Sequence, residues 1–217
     1  MFLIDPNTVI AGAFVFLRIG GILFALPVLG DKTYPVQART LMTLALTLCI
    51  YPMVPEAWFP DHQWDVLIIA GTVIKEISIG LFIGFVAKAM FDGMVMAASI
   101  VGYQMGFGTA SLLIPGVDFQ MDGFTAFHRL LVILLFLALN LHYMFLSALQ
   151  QSFSIIPSGS AELDPGIPTL LIAVSANIFV VAVQLSAPIL IALLFTMAAL
   201  GLVARTVPQM NVFTMSF

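Results

Sequence analysis

Residues 101–116, with the sequence VGYQMGFGTASLLIPG, interrupt a chain that otherwise consists of long apolar runs. This stretch carries glycines at 102, 106, 108 and 116 and a proline at 115. A plain membrane-spanning helix does not need so many helix breakers, and a loop in water would not be so apolar. We therefore predict a re-entrant or broken element here, and its geometry decides how the flanking runs are arranged.

The composition is that of an integral membrane protein. Hydrophobic residues make up 61% of the 217 residues and charged residues only 8%, whereas soluble domains average about 25% charged residues. No basic cluster indicates nucleic-acid binding. The single Cys49 excludes a disulfide framework or a thiolate metal site. We predict no metal and no cofactor.

Apolar runs predict the helices. A helix needs about 20 apolar residues to cross the bilayer, and suitable runs lie at 8–29, 37–56, 66–90, 93–114, 124–148 and 168–204. The last would be about 55 Å long as one helix, and Pro188 predicts a kink in its middle. The expected fold is an all-α integral membrane protein of helical hairpins, with a re-entrant or broken segment and a long kinked C-terminal helix. Because no linker or change in composition divides the chain, we expect a single membrane domain over 1–217.

The few charges predict a topology. Lys32, Arg39, Arg205 and a turn containing Lys88 and Asp92 fall on one side of the membrane, and the positive-inside bias makes it the cytoplasmic side. This pattern holds only if 93–116 enters the membrane and returns without crossing. Non-helical backbone at membrane depth is tolerated only inside protein or along a water-filled cavity. The segment is therefore expected to line such a space.

Two glycine pairs with GxxxG spacing have different interpretations. For Gly80 and Gly84 we favour close packing between helices. For Gly102 and Gly106 close packing remains an alternative, but the additional Gly108 and Pro115 favour a broken element.

The intramembrane charges are the candidates for chemistry. Arg18 lies inside the first run, where we favour a structural ion pair or a clamp on backbone carbonyls. Glu76 lies inside the third run, and a proton relay is the alternative for it, although one carboxylate does not make a relay. No HExxH, GxSxG or P-loop motif is present, and nothing assembles an active site, so we do not predict an enzyme.

Five stretches together resemble the FliR family, the export-gate subunit of bacterial flagellar and virulence-type type III secretion systems, and they favour the flagellar branch. They span most of the chain in order: FLRIGGILFALPVLGDKTYPVQAR (16–39), IKEISIGLFIGF (74–85), GYQMGFGTAS (102–111), SFSIIP (152–157) and APILIALLFTMAALGLVARTVPQMNVF (187–213). The last stretch is the most specific, because it combines alanine-proline, glycine-leucine, an arginine and PQMNVF.

The resemblance implies partners and a location. Family members sit in the inner membrane, in the export apparatus of the flagellar basal body, with FliP- and FliQ-like subunits and with FlhB- and FlhA-like export proteins. Unfolded export substrates cross there, and membrane lipid surrounds the assembly. By this resemblance, residues 1–150 form FliP-like helices and residues 165–217 form the first half of a FliQ-like hairpin. Its second helix would follow residue 213 and would be missing here.

The resemblance also places a pore plug at 106–122. The candidate gate residues are Met105, Gly106, Phe107, Gly108, Leu112, Leu113 and Ile114. Apolar side chains can close a pore by dewetting it, and glycines give the segment freedom to move. This chain departs from the family pattern because Ile114, and not an acidic residue, precedes Pro115.

The remaining site candidates are the intramembrane charges Arg18, Glu76 and Arg205. An alternative from another functional class is a proton-coupled small-molecule transporter. Such a transporter would use Arg18, Glu76 and the broken 101–116 element.

Overall fold

The computed structural model describes residues 6–26, 35–54, 66–107, 123–158 and 166–206, and all regular structure within these ranges is helical. The helices are α1 (Pro6–Ala25), α2 (Val36–Ile50), α3 (Val66–Gln104), α4 (Gly123–Ala138), α5 (Leu141–Ile155) and α6 (Ile167–Thr206), with a 3₁₀ turn at Tyr51–Met53. The predicted all-α fold is confirmed. By length and composition, α1, α3 and α6 can each cross a membrane, and α4 with α5 is a fourth candidate if this bent pair forms one span.

The chain divides into two compact units. The first contains Met1–Ala89 and Phe136–Leu171, and the second contains Met90–Leu135 and Ile172–Phe217. Helices α3, α4 and α6 therefore contribute residues to both units.

The first unit has an apolar core between α1, α5 and the end of α2. Its buried members are Val15, Ile19, Ile22, Leu23, Leu26, Ile50, Val54, Leu149 and Phe153. On α2, by contrast, Thr43 and Thr47 are buried while Leu44 and Leu48 are exposed. The two hydroxyls donate to the carbonyls of Arg39 and Thr43 in their own helix, at 2.8 and 2.7 Å. Because these donors are satisfied locally, α2 can turn its threonines inward and its leucines outward.

Glycines bring α1 and α3 into close contact in the first unit. A Cβ atom at Gly80 would collide with the carbonyl oxygen of Arg18, and one at Gly84 would lie 2.8 Å from the carbonyl oxygen of Ile22. Gly21 faces Gly80 from α1, with its α-carbon 3.1 Å from the same Cβ position of Gly80. The predicted close-packing role of Gly80 and Gly84 is thus confirmed, and the two backbones approach as small-residue helix pairs do in membranes.

Several small side chains are buried in the second unit. Ala97, Ala98 and Val101 of α3 are buried, as are Ala182 and Ser186 of α6. A Cβ atom at Gly93 would lie 3.2 Å from a methyl carbon of Val181 and 3.3 Å from the carbonyl oxygen of Ile178. The backbones of α3 and α6 therefore approach closely at Gly93.

The prediction of separate runs at 66–90 and 93–114 is wrong within the described residues, because α3 is one helix of 39 residues from Val66 to Gln104. Lys88 and Asp92 do not form a turn. They stand four residues apart, a spacing that brings oppositely charged side chains together on one helical face. The topology built on a cytoplasmic turn at 88–92 loses its premise, and 93–104 belongs to α3.

The predicted run 124–148 is also not continuous. Helices α4 and α5 meet at a bend of 69°, where Asn140 adopts a left-handed conformation with φ 56° and ψ 28°. Asparagine tolerates this region better than most residues do, because its short side chain can hydrogen-bond locally. The sequence contains a broken helix here without a glycine or proline to indicate it.

The helix in the second predicted run is shorter than expected, and the helix in the last run is slightly longer than expected. Helix α2 has 15 residues, about 22 Å, and is too short for the predicted crossing at 37–56. Helix α6 has 40 residues and continues through Pro188, so the predicted long C-terminal helix is confirmed at about 60 Å. Pro188 has no N–H to donate to the carbonyl of Gln184, which removes one hydrogen bond from the helix interior.

We expect the substitution Gly80→Ala to destabilise the chain by about 1–3 kcal/mol, because its methyl group would collide with backbone that cannot move aside. The matched control is Gly71→Ala in the same helix, where nothing lies within 4 Å of the added Cβ atom. Thermal unfolding of the detergent-purified chain measures both. Equal unfolding temperatures for the two variants would contradict the close α1–α3 contact.

Candidate functional site

The most deeply buried charges form an ion pair between α1 and α3. The side chains of Arg18 and Glu76 are both 0% exposed. Arg18 Nε donates to Glu76 Oε2 at 2.6 Å, and Nη2 donates to Oε1 at 3.0 Å. The pair is therefore bidentate, the geometry in which a planar guanidinium binds a carboxylate most strongly.

The same guanidinium also binds the end of α5. Arg18 Nη1 donates to the carbonyl oxygens of Ser152 and Ile156, at 3.1 and 2.8 Å. Ile156 lies immediately after the last residue of α5. The carbonyl of Ser152 also accepts the N–H of Ile156 at 3.0 Å. Carbonyl groups at the C-terminal end of a helix carry partial negative charge, so a cation is favourable there.

An aromatic ring completes the surroundings of Arg18. The guanidinium carbon lies 4.4 Å from the ring centroid of Phe153, within the range of a cation–π contact. Phe153 belongs to the apolar core of the first unit. From α1, the arginine thus contacts two further helices, α3 and α5, through a carboxylate, two carbonyls and a ring, and we call these groups the arginine clamp.

The arginine clamp contains both kinds of partner that the sequence suggests for Arg18, an ion pair and backbone carbonyls. Both oxygens of Glu76 accept from Arg18, an arrangement suited to joining helices. Within the described ranges no group of three His, Cys, Asp or Glu side chains could hold a metal ion.

The second feature is the end of α3. The N–H of Gly106 donates to the carbonyl of Tyr103, and the N–H of Phe107 donates to the carbonyl of Gly102, both at 3.1 Å. Gly106 has a positive φ of 86°. These bonds and this angle define a Schellman motif, in which a glycine ends a helix without strain. The interpretation of Gly106 as a helix-breaking residue agrees with this geometry.

Apolar and aromatic side chains surround this helix end. Met105 and Phe107 are 46% and 48% exposed, and Tyr103 is exposed as well. The ring of Phe107 stacks on that of Phe124 with a centroid separation of 6.2 Å and an interplanar angle of 7°. Phe124 in turn faces His128, one turn further along α4, at 6.3 Å. We call Phe107, Phe124 and His128 the ring stack.

The structure places the predicted residues in three groups. It brings Arg18 and Glu76 together in the first unit, whereas Met105, Gly106 and Phe107 lie in the second. Arg205 is exposed in the last turn of α6. Gly108, Leu112, Leu113 and Ile114 fall outside the described residues, so their predicted role as plug residues stays a prediction.

Sequence reasoning missed several participants. Ser152, Phe153 and Ile156 bind Arg18, and their only signal was the SFSIIP stretch within which they lie. Phe124 had no signal, because a single phenylalanine at a helix start is unremarkable in so apolar a chain.

The fold and the arginine clamp define an all-helical membrane protein in which a buried ion pair joins α1 to α3. The model of the family described as bacterial export proteins, family 1, matches residues 9–217. The chain therefore belongs to this family of bacterial export proteins.

Curated relatives agree with this assignment. The flagellar biosynthetic protein FliR of Caulobacter vibrioides is 29% identical over 205 residues, which cover 94% of this chain and 81% of the relative. FliR of Bacillus subtilis is 31% identical, with 92% of this chain and 77% of the relative covered. The Yop proteins translocation protein T of Yersinia pestis is 32% identical, with coverage of 88% and 74%.

We expect removal of one member of the buried pair, by Arg18→Met or Glu76→Met, to destabilise the chain by about 3–5 kcal/mol, because the remaining charge loses its partner in an apolar interior. The double variant Arg18→Met with Glu76→Met should lose clearly less than the sum of the two single losses. Denaturant unfolding of the detergent-purified chain gives the coupling energy. Additive losses would show that the two side chains do not depend on each other.

Proposed function

We propose that this chain is a membrane subunit of a type III protein-export apparatus of the flagellar branch, located in the bacterial inner membrane. The observation that carries the proposal is the family match over residues 9–217. Flagellar relatives from Caulobacter vibrioides, Bacillus subtilis and Escherichia coli match over more than nine-tenths of this chain. The Yersinia pestis relative is slightly more identical but covers less, so extent of coverage favours the flagellar branch.

The role is structural and gating, and the partners are FliP- and FliQ-like subunits, with FlhB- and FlhA-like proteins nearby. Physical support comes from the long helices. As straight helices, α3 and α6 are about 58 and 60 Å long, roughly twice the hydrocarbon thickness of a bilayer. Side chains such as Leu194, Phe195 and Leu202 on α6 are exposed. Large apolar surfaces that the bilayer cannot fully cover are suited to neighbouring helices of an assembly.

The gate of this channel is formed by the chain after the Schellman motif. Met105 and Phe107 present apolar surface where α3 ends, and the predicted plug residues Gly108, Leu112, Leu113 and Ile114 follow. An apolar constriction excludes water and ions, yet it yields to an unfolded chain that is pushed through. Methionine suits this task because its side chain adapts to varied partners.

A proton-coupled transporter is not favoured. Its proposed carboxylate, Glu76, is held at both oxygens by Arg18, and the relatives named above are flagellar biosynthetic and Yop translocation proteins.

Complementation tests the export role. In a flagellated strain lacking its own family member, this chain, expressed with its cognate FliP- and FliQ-like proteins, should restore swimming and filament export. It should also co-purify with both proteins in mild detergent. A chain that purifies alone, binds a small solute and fails to restore filament export would overturn the proposal.

Deletion of residues 107–114 should make the resting assembly leaky, because it removes Phe107 and the predicted plug residues. The measurement is potassium release from vesicles that contain the purified assembly. Phe127→Ser is the control, because Phe127 of α4 is exposed and outside the ring stack. Potassium release from the deletion variant equal to that of the unaltered assembly would remove the gating role while leaving export-apparatus membership intact.

A further inference from the structure

Phe124 is the shared member of the ring stack. Its ring stacks with that of Phe107 and with that of His128, at centroid separations of 6.2 and 6.3 Å. The near-parallel arrangement with Phe107, at 7°, falls within the geometry that aromatic pairs prefer. Because Phe107 is 48% exposed, its ring has few packing neighbours, and the contact with Phe124 is an important one.

The helix that carries Phe124 packs against α3 through its first turn. Thr125, the next residue, is 1% exposed, and its hydroxyl donates to Ser99 Oγ at 3.4 Å. Ser99 in turn donates to the carbonyl of Val95 in its own helix at 3.2 Å. The first turn of α4 therefore contacts α3 less than two turns before the Schellman motif.

Two contacts constrain the position of Phe107 relative to α3, one through its backbone and one through its ring. The Schellman motif at Gly106 sets the direction in which the backbone leaves α3, and the ring of Phe124 fixes the side chain beyond it. Phe107 is one of the proposed gate residues. Phe124 contacts it without being a gate residue itself.

We propose that Phe124 is a positioning residue of the gate, which holds the ring of Phe107 in its closed place from α4. This inference rests on the proposed gating function. The stack is weak enough to be broken by a passing chain. An aromatic pair of this kind shifts the equilibrium between the stacked and the unstacked ring by roughly 2- to 10-fold. The ring of His128 also stacks on that of Phe124, at an interplanar angle of 24°.

The test compares three variants of the purified assembly in potassium-loaded vesicles. Phe124→Leu keeps an apolar side chain but removes the stack, and we expect potassium release to rise by roughly 2- to 10-fold. Phe124→Tyr keeps the stack and should leave release unchanged. Phe127→Leu makes a similar change three residues away on the same helix, outside the ring stack, and should also leave release unchanged.

The outcomes separate this inference from the proposed function. If Phe124→Leu and the unaltered assembly release potassium equally while deletion of 107–114 causes a leak, the positioning role is overturned and the gate stands. If the deletion itself causes no leak, the gate and the positioning role fail together. A leak from Phe127→Leu equal to that from Phe124→Leu would also overturn the specific role of the ring stack.

A second measurement tests the proximity of residues 107 and 124 directly and does not depend on a rate of potassium release. In a chain with Cys49→Ser, which removes the native cysteine, the pair Phe107→Cys and Phe124→Cys should react with a short bis-maleimide and then block filament export. The control pair Phe107→Cys and Ala126→Cys places the second thiol on the opposite side of α4. Equal cross-linking of both pairs, or export that continues through the cross-linked gate, would overturn the proposal.

Discussion

The ion pair between Arg18 and Glu76 is the interaction on which the first unit depends. Two fully buried charges in an apolar interior are tolerable only when each is paired and hydrogen-bonded. The pair therefore fixes the rotation of α1 against α3. That rotation brings Gly21 opposite Gly80, where the backbones approach closely. The remaining donors of the guanidinium bind the last carbonyls of α5, so a single side chain determines how three helices meet.

Composition predicted the helical membrane fold, because 61% hydrophobic and 8% charged residues leave few alternatives. The spacing of Gly80 and Gly84 predicted a close helix contact. The extent of α3 could not be predicted from apolar runs, since Lys88 and Asp92 interrupt the hydropathy but not the helix. The bend at Asn140 was missed because neither glycine nor proline indicates it. The pairing of Arg18 with Glu76 joins residues 58 positions apart, a distance over which helical periodicity carries no information.

In the candidate gate, too, the sequence predicted the local backbone geometry but not the contact between helices. Glycine content predicted a broken element near Gly106, and backbone hydrogen bonds there form a Schellman motif. The ring contact between Phe107 and Phe124 depends on where two helices come together, and the sequence held no signal for it. A few neighbouring residues determine the local backbone preference, whereas contact between helices depends on the packing of the unit as a whole.

The bend at Asn140 determines how the backbone of α5 begins. At the start of any helix, the first amide groups lack the carbonyls of a preceding turn, and α5 begins directly after the bend. In hydrocarbon, each unsatisfied amide costs several kcal/mol. At the bend, the N–H of Asn140 donates to the carbonyl of Leu137 and the N–H of Tyr143 donates to the carbonyl of Asn140, at 3.1 and 3.0 Å. A break that interrupts one helix thus satisfies part of its own backbone within the chain, which lowers the cost of turning at an apolar position.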